Sequence, residues 1–565
     1  MKRLIPVVIA LALIAAIVYF VFYPEYQERY EYSEERANLM DYFKLTDESQ
    51  VAIILQDEMI SEQARYWDGA YYFDLATVHK YFNARFYHDE REKLLLYSLP
   101  DDTVRVRIGG KTIETKQGQT GRSYPVARYE DGILYISADL VKAYTNFSYE
   151  GWQNPGRMQV YTEWGDIQAA KVNRDIAVRY RGGVKSEILT EIVNGSKVTV
   201  LEQMETWAKV KTADGFIGYV ELRRLANVYS ERLVPVTDYV EPEFASQTRP
   251  YKICLGWHYI GGPAGNDTIY EVTRNTEGLN VISPPWFFLT DNEGNFTNFA
   301  SSAYVKTAHD MGLEVWALVE NITYKNDLNM YELLSATSKR TALIDNLMTA
   351  AVEAGIDGIN VDFEELSPDE GPHFVQFVRE LSIRCREQGL VLSVDNYVPF
   401  NFNEYYNRAE QGVFADYVII MGYDEHYGGS EKAGSVASIE FVEGGILRTV
   451  EQVPAEKVIN GVPFYTRIWE TQGVTVTSQA VGMALAQDWV ANRNLTPEWD
   501  DEACQNYVEY RASDGTLHQV WLEDAESLRV KFNVMDANNV GGVAFWQLGQ
   551  ETAEVWEVVL DYVGN

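Results

Sequence analysis

The feature that most constrains the fold is an alternation. Between residues 251 and 562, short apolar runs are followed by amphipathic helical patterns, over and over. The strand candidates are Ile253–Trp257, Leu279–Ser283, Leu313–Leu318, Gly358–Val361 with its continuation, Val391–Val394, Tyr417–Met421, Val458–Val462 and Gly542–Phe545. Helical patterns such as Ser338–Ala354 and His373–Gln388 follow most of them. Strands interleaved with helices form parallel sheets, and eight such units close into an α/β (β/α)8 barrel, the TIM barrel. The gap before the eighth strand is long. It holds Tyr507–Tyr510 and Leu517–Trp521 around Asp514-Gly515, which predicts a hairpin in a small α+β insertion.

At 565 residues the chain has room for more than the barrel. Residues 49–165 carry β-rich runs at Val51–Leu55, Lys93–Ser98, Thr103–Ile108 and Ile133–Ile136, with a helical stretch at Asp74–Asn83. This α+β module resembles the amine-oxidase N-terminal-like repeats that serve as stalks. Within 166–230, Asp175–Arg179, Lys197–Leu201, Trp207–Lys211 and Phe216–Val220 alternate at period two, and Asn194-Gly195 and Asp214-Gly215 fall between them as hairpin turns. That pattern resembles a bacterial SH3-like domain. The resemblance implies either a holder of cell-wall ligands or a passive spacer. Residues 231–250 read as a linker, leaving the barrel to 251–565.

Lys2 and Arg3 precede an apolar run, Leu4–Tyr23, long enough to cross a bilayer as one helix. It ends in bulky residues rather than the small ones a signal peptidase cuts after. The expectation is an uncleaved single-pass membrane anchor at 1–24 and a juxtamembrane spacer at 25–48. Everything beyond would be extracytoplasmic, with the basic tail inside. A net charge of −35 argues against nucleic acid as a partner. Cys254, Cys385 and Cys504 are scattered and odd in number, so neither a disulfide framework nor metal-ligand spacing is present. No metal or cofactor is expected.

The segment that carries chemistry is Asp357-Gly-Ile-Asn360-Val-Asp362-Phe-Glu364. Side chains alternate along a strand, so Asn360, Asp362 and Glu364 share one face. A strand covered by helices is normally apolar throughout. Three polar residues on its inner face would be costly to bury unless they serve a site. Two carboxylates in one pocket raise the pKa of one of them, and a Glu held protonated can donate to a glycosidic oxygen. Glu364 also lies nearer the carboxyl end of the strand, where barrel active sites are built.

At these residues the chain resembles glycoside hydrolase family 18, whose motif is Asp-x-x-Asp-x-Asp-x-Glu. The second element here is Asn360, where most chitinases have Asp; Asn there resembles the branch of spore-cortex and peptidoglycan glucosaminidases. Met421-Gly-Tyr423-Asp424, Gly461-Val-Pro-Phe-Tyr465-Thr-Arg467, Trp521-Leu-Glu-Asp524 and Trp546 resemble further family segments in the expected order. The resemblance implies substrate-assisted retention, with Glu364 as acid, Asp362 on the 2-acetamido N–H and Tyr423 on its carbonyl oxygen. It also implies a sugar-stacking Trp546, whose other reading is core packing. Asp424 and Arg467 read as a salt bridge or as sugar contacts. Asn396, Tyr397 and Tyr465 are further cleft candidates. The expected partner is a polysaccharide containing N-acetylglucosamine, either peptidoglycan or a chitin-like glycan. The alternative is a glycan-binding cell-surface protein on the same barrel that does not cut, although non-enzymatic relatives of the resembled family usually lose the Glu that is present here as Glu364; a metal-dependent deacetylase would need His/Asp clusters that the seven histidines do not form.

Overall fold

A computed structural model describes residues 5–564. The chain divides into two compact units: residues 1–86 with 105–241, and residues 87–104 with 242–565.

The amino terminus corrects one expectation. Ile5–Ile17 is an α-helix of 13 residues, about 20 Å long at 1.5 Å per residue, against the roughly 30 Å of a hydrocarbon core. At Val18–Phe22 the hydrogen bonding widens to a π turn, and the next helix, Tyr23–Tyr30, is charged. Among the described residues no helix is long and apolar enough to cross a membrane. The single-pass anchor at 1–24 is thus overturned. The spacer at 25–48, the membrane partner and the extracytoplasmic placement rested on that span and go with it. The apolar run is long enough on paper, but the regular helix ends partway through it. Lys2 and Arg3 lie outside the described residues.

The first unit contains two seven-stranded sheets. In one, Gln50–Leu55 runs parallel to Arg157–Tyr161 and antiparallel to Glu58–Trp67. Its helix Leu75–Tyr81 is capped by Asp74, whose carboxylate accepts from Thr77 N at 2.9 Å. The other sheet matches the SH3-like reading. Trp207–Thr212 pairs antiparallel with Ile217–Glu221 across the Asp214-Gly215 turn, where Gly215 takes φ +87°.

The second unit is the barrel. Its strands are β1 (Ile253–Trp257), β2 (Val281–Ser283), β3 (Glu314–Glu320), β4 (Gly358–Asp362), β5 (Val391–Tyr397), β6 (Tyr417–Met421), β7 (Val458–Pro463) and β8 (Gly542–Trp546). Each pairs parallel with the next, and β8 pairs with β1 to close the ring. A short turn of helix follows β1; thereafter come α1 (Ser302–Asp310), α2 (Thr337–Ala354), α3 (Gly371–Gln388), α4 (Arg408–Phe414), α5 (Ile439–Val450), α6 (Ala525–Ala537) and α7 (Val555–Val563). Helices α2 and α3 end at Gly355 and Gly389, both left-handed, a conformation glycine adopts without steric cost.

Strand alternation sorts the side chains. Ile253, Leu255, Trp257, Val281, Trp316, Leu318, Val391, Tyr417, Ile419, Ile459 and Ala544 fill the barrel. Their neighbours Cys254, Ile282, Val315, Ile359, Val361, Leu392, Val394, Val418 and Val543 pack outward under the helices. Gly358 sits where a Cβ would come within 2.8 Å of the Trp316 ring, so this indole fills the barrel beneath the site.

The insertion after β7 is a five-stranded sheet with helix Met483–Ala491. Gln505–Arg511 pairs with Leu517–Leu522 across Gly515, the hairpin read from the sequence. Residues 87–104 are tied to the helical shell. Arg340 on α2 is fully buried and forms a bidentate pair with Glu380 on α3, at 2.9 and 3.0 Å. Its remaining donors reach Leu334 O, Thr337 Oγ1 and the Tyr87 hydroxyl, and the Tyr87 hydroxyl also meets His373 Nδ1 at 2.7 Å.

Candidate active site

The inner face of β4 is polar because three of its positions leave the apolar ladder. Asn360 is wholly buried inside the barrel. Its Oδ1 accepts from Trp257 Nε1 at 3.0 Å and Ser283 Oγ at 3.2 Å, while its Nδ2 donates to Asp395 Oδ1 at 2.8 Å. Asp362 and Glu364 follow toward the carboxyl end and line a cavity of about 200 Å³ with Trp257, Asp395, Tyr397, Met421, Tyr423, Asp424 and Trp546. Asp357, at the other end of the strand, accepts from Val315 N and faces His309 at 2.8 Å, a structural role.

Glu364 lies just past the strand, and its backbone is clamped. Asn321, buried after β3, donates through Nδ2 to Glu364 O and accepts from Glu364 N, both at 2.9 Å. Burial raises the Glu364 pKa; a hydrogen bond with the Tyr397 hydroxyl opposes that, and the charges of Asp424, Glu365 and Glu320 add to it. The same tyrosine oxygen accepts from Glu365 N at 3.2 Å. Glu365 itself is exposed and pairs with Lys325 at 3.0 Å.

Burial likewise holds Asp362 and Asp395 well above the ordinary carboxylate range, with Glu364, Asp395 and Glu320 adding like charge around Asp362. Asp362 Oδ1 is inaccessible and has no hydrogen-bond partner in the protein. Burial also pushes the Tyr423 phenol well up, so it stays a neutral donor. Trp546 lies 5.9 Å from Trp257, centroid to centroid, and the two indoles close one side of the cavity.

A second cavity of about 460 Å³ adjoins the first through Asp424 and Trp546, and is otherwise walled by the insertion and the loop after β8. Tyr465 donates to Asp424 Oδ1 at 2.6 Å, and Arg467 Nη1 donates to Ser478 Oγ at 3.1 Å. Asp424 and Arg467 line this cavity without pairing as a salt bridge. Arg467 Nε is buried and unpartnered.

The structure therefore gathers Asp362, Glu364, Tyr397, Tyr423, Asp424, Tyr465, Arg467 and Trp546 around one groove, whereas Asn360 lies buried beneath it and lines neither cavity. It does not bring Asn396 there. Adjacent strand residues face opposite ways, and Asn396 exchanges hydrogen bonds with Gln411 on α4, at 2.7 and 3.0 Å. Sequence reasoning missed Asn321 and Asp395. Asp395 had a signal: an acid inside an apolar, helix-covered strand, in step with Asn360 and Asp362.

Residues 279–551 match the model of the glycosyl hydrolases family 18, and residues 175–226 that of the bacterial SH3 domain. The chain is 24% identical over 314 residues to the uncharacterized glycosylase YvbX of Bacillus subtilis, covering 53% of this chain and 90% of that protein. It is 26% identical over 256 residues to the cortical fragment-lytic enzyme of Bacillus anthracis, covering 43% of this chain and 58% of that one, so it spans less than two thirds of that relative. The fold is shared with the spore cortex-lytic enzyme SleL of Bacillus cereus, at a TM-score of 0.50 and 20% identity over 60% of this chain and 78% of that one. Closed barrel, inward acids and family match agree: the barrel region, over residues 279–551, is similar to the glycosyl hydrolases family 18, and residues 175–226 are similar to a bacterial SH3 domain.

Proposed function

We propose that the barrel cleaves β-1,4 linkages in peptidoglycan by substrate-assisted retention at N-acetylglucosamine. The observation that carries this reading is Glu364, raised by burial and projecting with Asp362 into a cavity closed by Trp546 and lined by Tyr423. Glu364 gives its proton to the glycosidic oxygen as the bond to the anomeric carbon breaks. The acetamido oxygen of the substrate closes on that carbon, giving an oxazolinium ion. Asp362 accepts from the acetamide N–H and stabilises the developing positive charge. Tyr423 donates to the acetamide oxygen and orients it. Glu364, now ionised, takes a proton from the incoming water, which opens the ring with retained configuration.

Tyr397 and Asn321 aim Glu364, Trp546 stacks under the reacting sugar, and Asp424, Tyr465 and Arg467 receive the neighbouring sugar in the adjoining cavity. Asn360 is buried below the sugar and acts through Asp395. Peptidoglycan is favoured over chitin by the bacterial SH3 domain in the same chain and by the likeness to a cortical fragment-lytic enzyme. The test is incubation of the full chain with purified peptidoglycan and, separately, with chitooligosaccharides, followed by mass analysis of the released reducing ends. Fragments ending in reducing N-acetylglucosamine from peptidoglycan are expected. Release from chitooligosaccharides alone would refute the substrate assignment, and release from neither would refute the activity.

A further inference from the structure

Asn360 stands where an inner acid would otherwise lie, and its amide cannot take up a proton. Its orientation is fixed. The oxygen accepts from Trp257 and Ser283, so the nitrogen must donate, and it does so to Asp395 Oδ1 at 2.8 Å. That contact leaves the other Asp395 oxygen free. Strands β4 and β5 are in register, Asn360 beside Ser393 and Val361 beside Val394. The next pair along is Asp362 and Asp395, both inward, on strands roughly 4.8 Å apart. Asp395 is 2% exposed, and Asp362 Oδ1 is buried without a partner. Two carboxylates on neighbouring strands, one buried and the other with a buried oxygen, resist ionising together. The unpartnered oxygen on one and the free oxygen on the other complete a single hydrogen bond once one proton lies between them.

We propose that Asp395 is a positioning residue that stays protonated and donates to Asp362, fixing the Asp362 carboxylate, as an anion, against the acetamide of the substrate. The inference rests on the role of Asp362 given above. The pair holds one proton: it rests on Asp395, and the negative charge on Asp362 faces the arriving acetamide N–H. The other titratable groups facing the pair are Glu320 at the end of β3, Glu364 after β4, Tyr397 on β5, and Tyr423 and Asp424 after β6. Strands β1, β2 and β8 present Trp257, Ser283 and Trp546.

The test compares Asp395→Asn with Asp395→Ala in the full chain, on an N-acetylglucosamine oligomer that the wild type cleaves and Glu364→Gln does not. Asparagine imitates the protonated acid: its oxygen accepts from Asn360 and its nitrogen donates to Asp362. We expect D395N to keep kcat within about threefold, and D395A to lose about tenfold or more in kcat with KM nearly unchanged. Where D395A does not melt cooperatively, Asp395→Leu replaces it. In a D362N background the same Asp395→Ala change should cost less than about twofold, because its effect runs through Asp362. If D395N is as slow as D395A, Asp395 acts as an anion and the proposal fails. It fails also if the D395A loss persists undiminished beside D362N. The coupling is read independently in melting temperatures, as non-additivity of the D362N and D395A shifts, so its failure is distinct from failure of the activity.

Discussion

Replacing Asp362 by Asn should make the protein more stable and nearly inactive. Asp362 sits among Glu364, Asp395 and Glu320, with one oxygen buried and unpartnered. A buried acceptor without a partner carries a penalty of about 1–3 kcal/mol. Each unit by which folding raises a carboxylate pKa removes about 1.4 kcal/mol of stability once that group is ionised. An amide at 362 carries no charge and can donate to Asp395, so D362N should gain about 1–3 kcal/mol at pH 7. For a unit of this size that is a rise of roughly 2–6 °C in melting temperature. The sign follows from the raised pKa. Below the ordinary carboxylate value Asp362 is protonated both folded and unfolded, and the variant gains nothing from charge. The gain grows as pH rises from there through the folded pKa and then levels off. Calorimetry of both proteins from pH 4 to 8 measures it. Turnover of an N-acetylglucosamine oligomer should fall by about a hundredfold or more, since the partner of the acetamide N–H loses its charge. A D362N that is less stable at pH 7, or a gain that does not vary with pH, would refute the reasoning.

Asn321→Ala removes both hydrogen bonds that fix the Glu364 backbone. It should lower kcat by about ten- to a hundredfold and cost about 1–3 kcal/mol of stability, as steady-state kinetics beside a thermal melt will show. Arg340→Ala leaves Glu380 buried and unpaired, and should destabilise the barrel unit by about 3–5 kcal/mol, measured by denaturant unfolding. Asn396→Ala, facing α4, should cost about 1–3 kcal/mol of stability while KM for the glycan stays within about twofold.

The barrel was legible because its logic is local. Apolar strands spaced by amphipathic helices leave few topologies, and β4 announced itself by breaking that pattern with Asn360, Asp362 and Glu364. Its period of two also placed Ile359, Val361 and Phe363 correctly, under the helices. The same rule, applied to β5, would have separated Asn396 from Tyr397 and picked Asp395 instead. Asn321 was not readable, because its role depends on a loop crossing from β3 to reach a backbone 43 residues later. The amino-terminal helix misled for a related reason. Hydropathy counts apolar residues, whereas a span also needs the α-helical hydrogen bonding to continue, and here it changes at Val18. The link from Tyr87 to Arg340 and His373 is equally long-range, and shows why a fragment beginning near residue 240 would lack part of its own shell.

The most direct test of the account is Glu364→Gln, an amide of the same shape that cannot donate a proton as an acid. With the full chain on an N-acetylglucosamine oligomer, binding by calorimetry should remain within a few-fold of wild type, while single-turnover cleavage should fall by about a thousandfold or more. Cleavage at an undiminished rate by the glutamine variant would show that another group protonates the leaving oxygen, and the assignment of the site would fall.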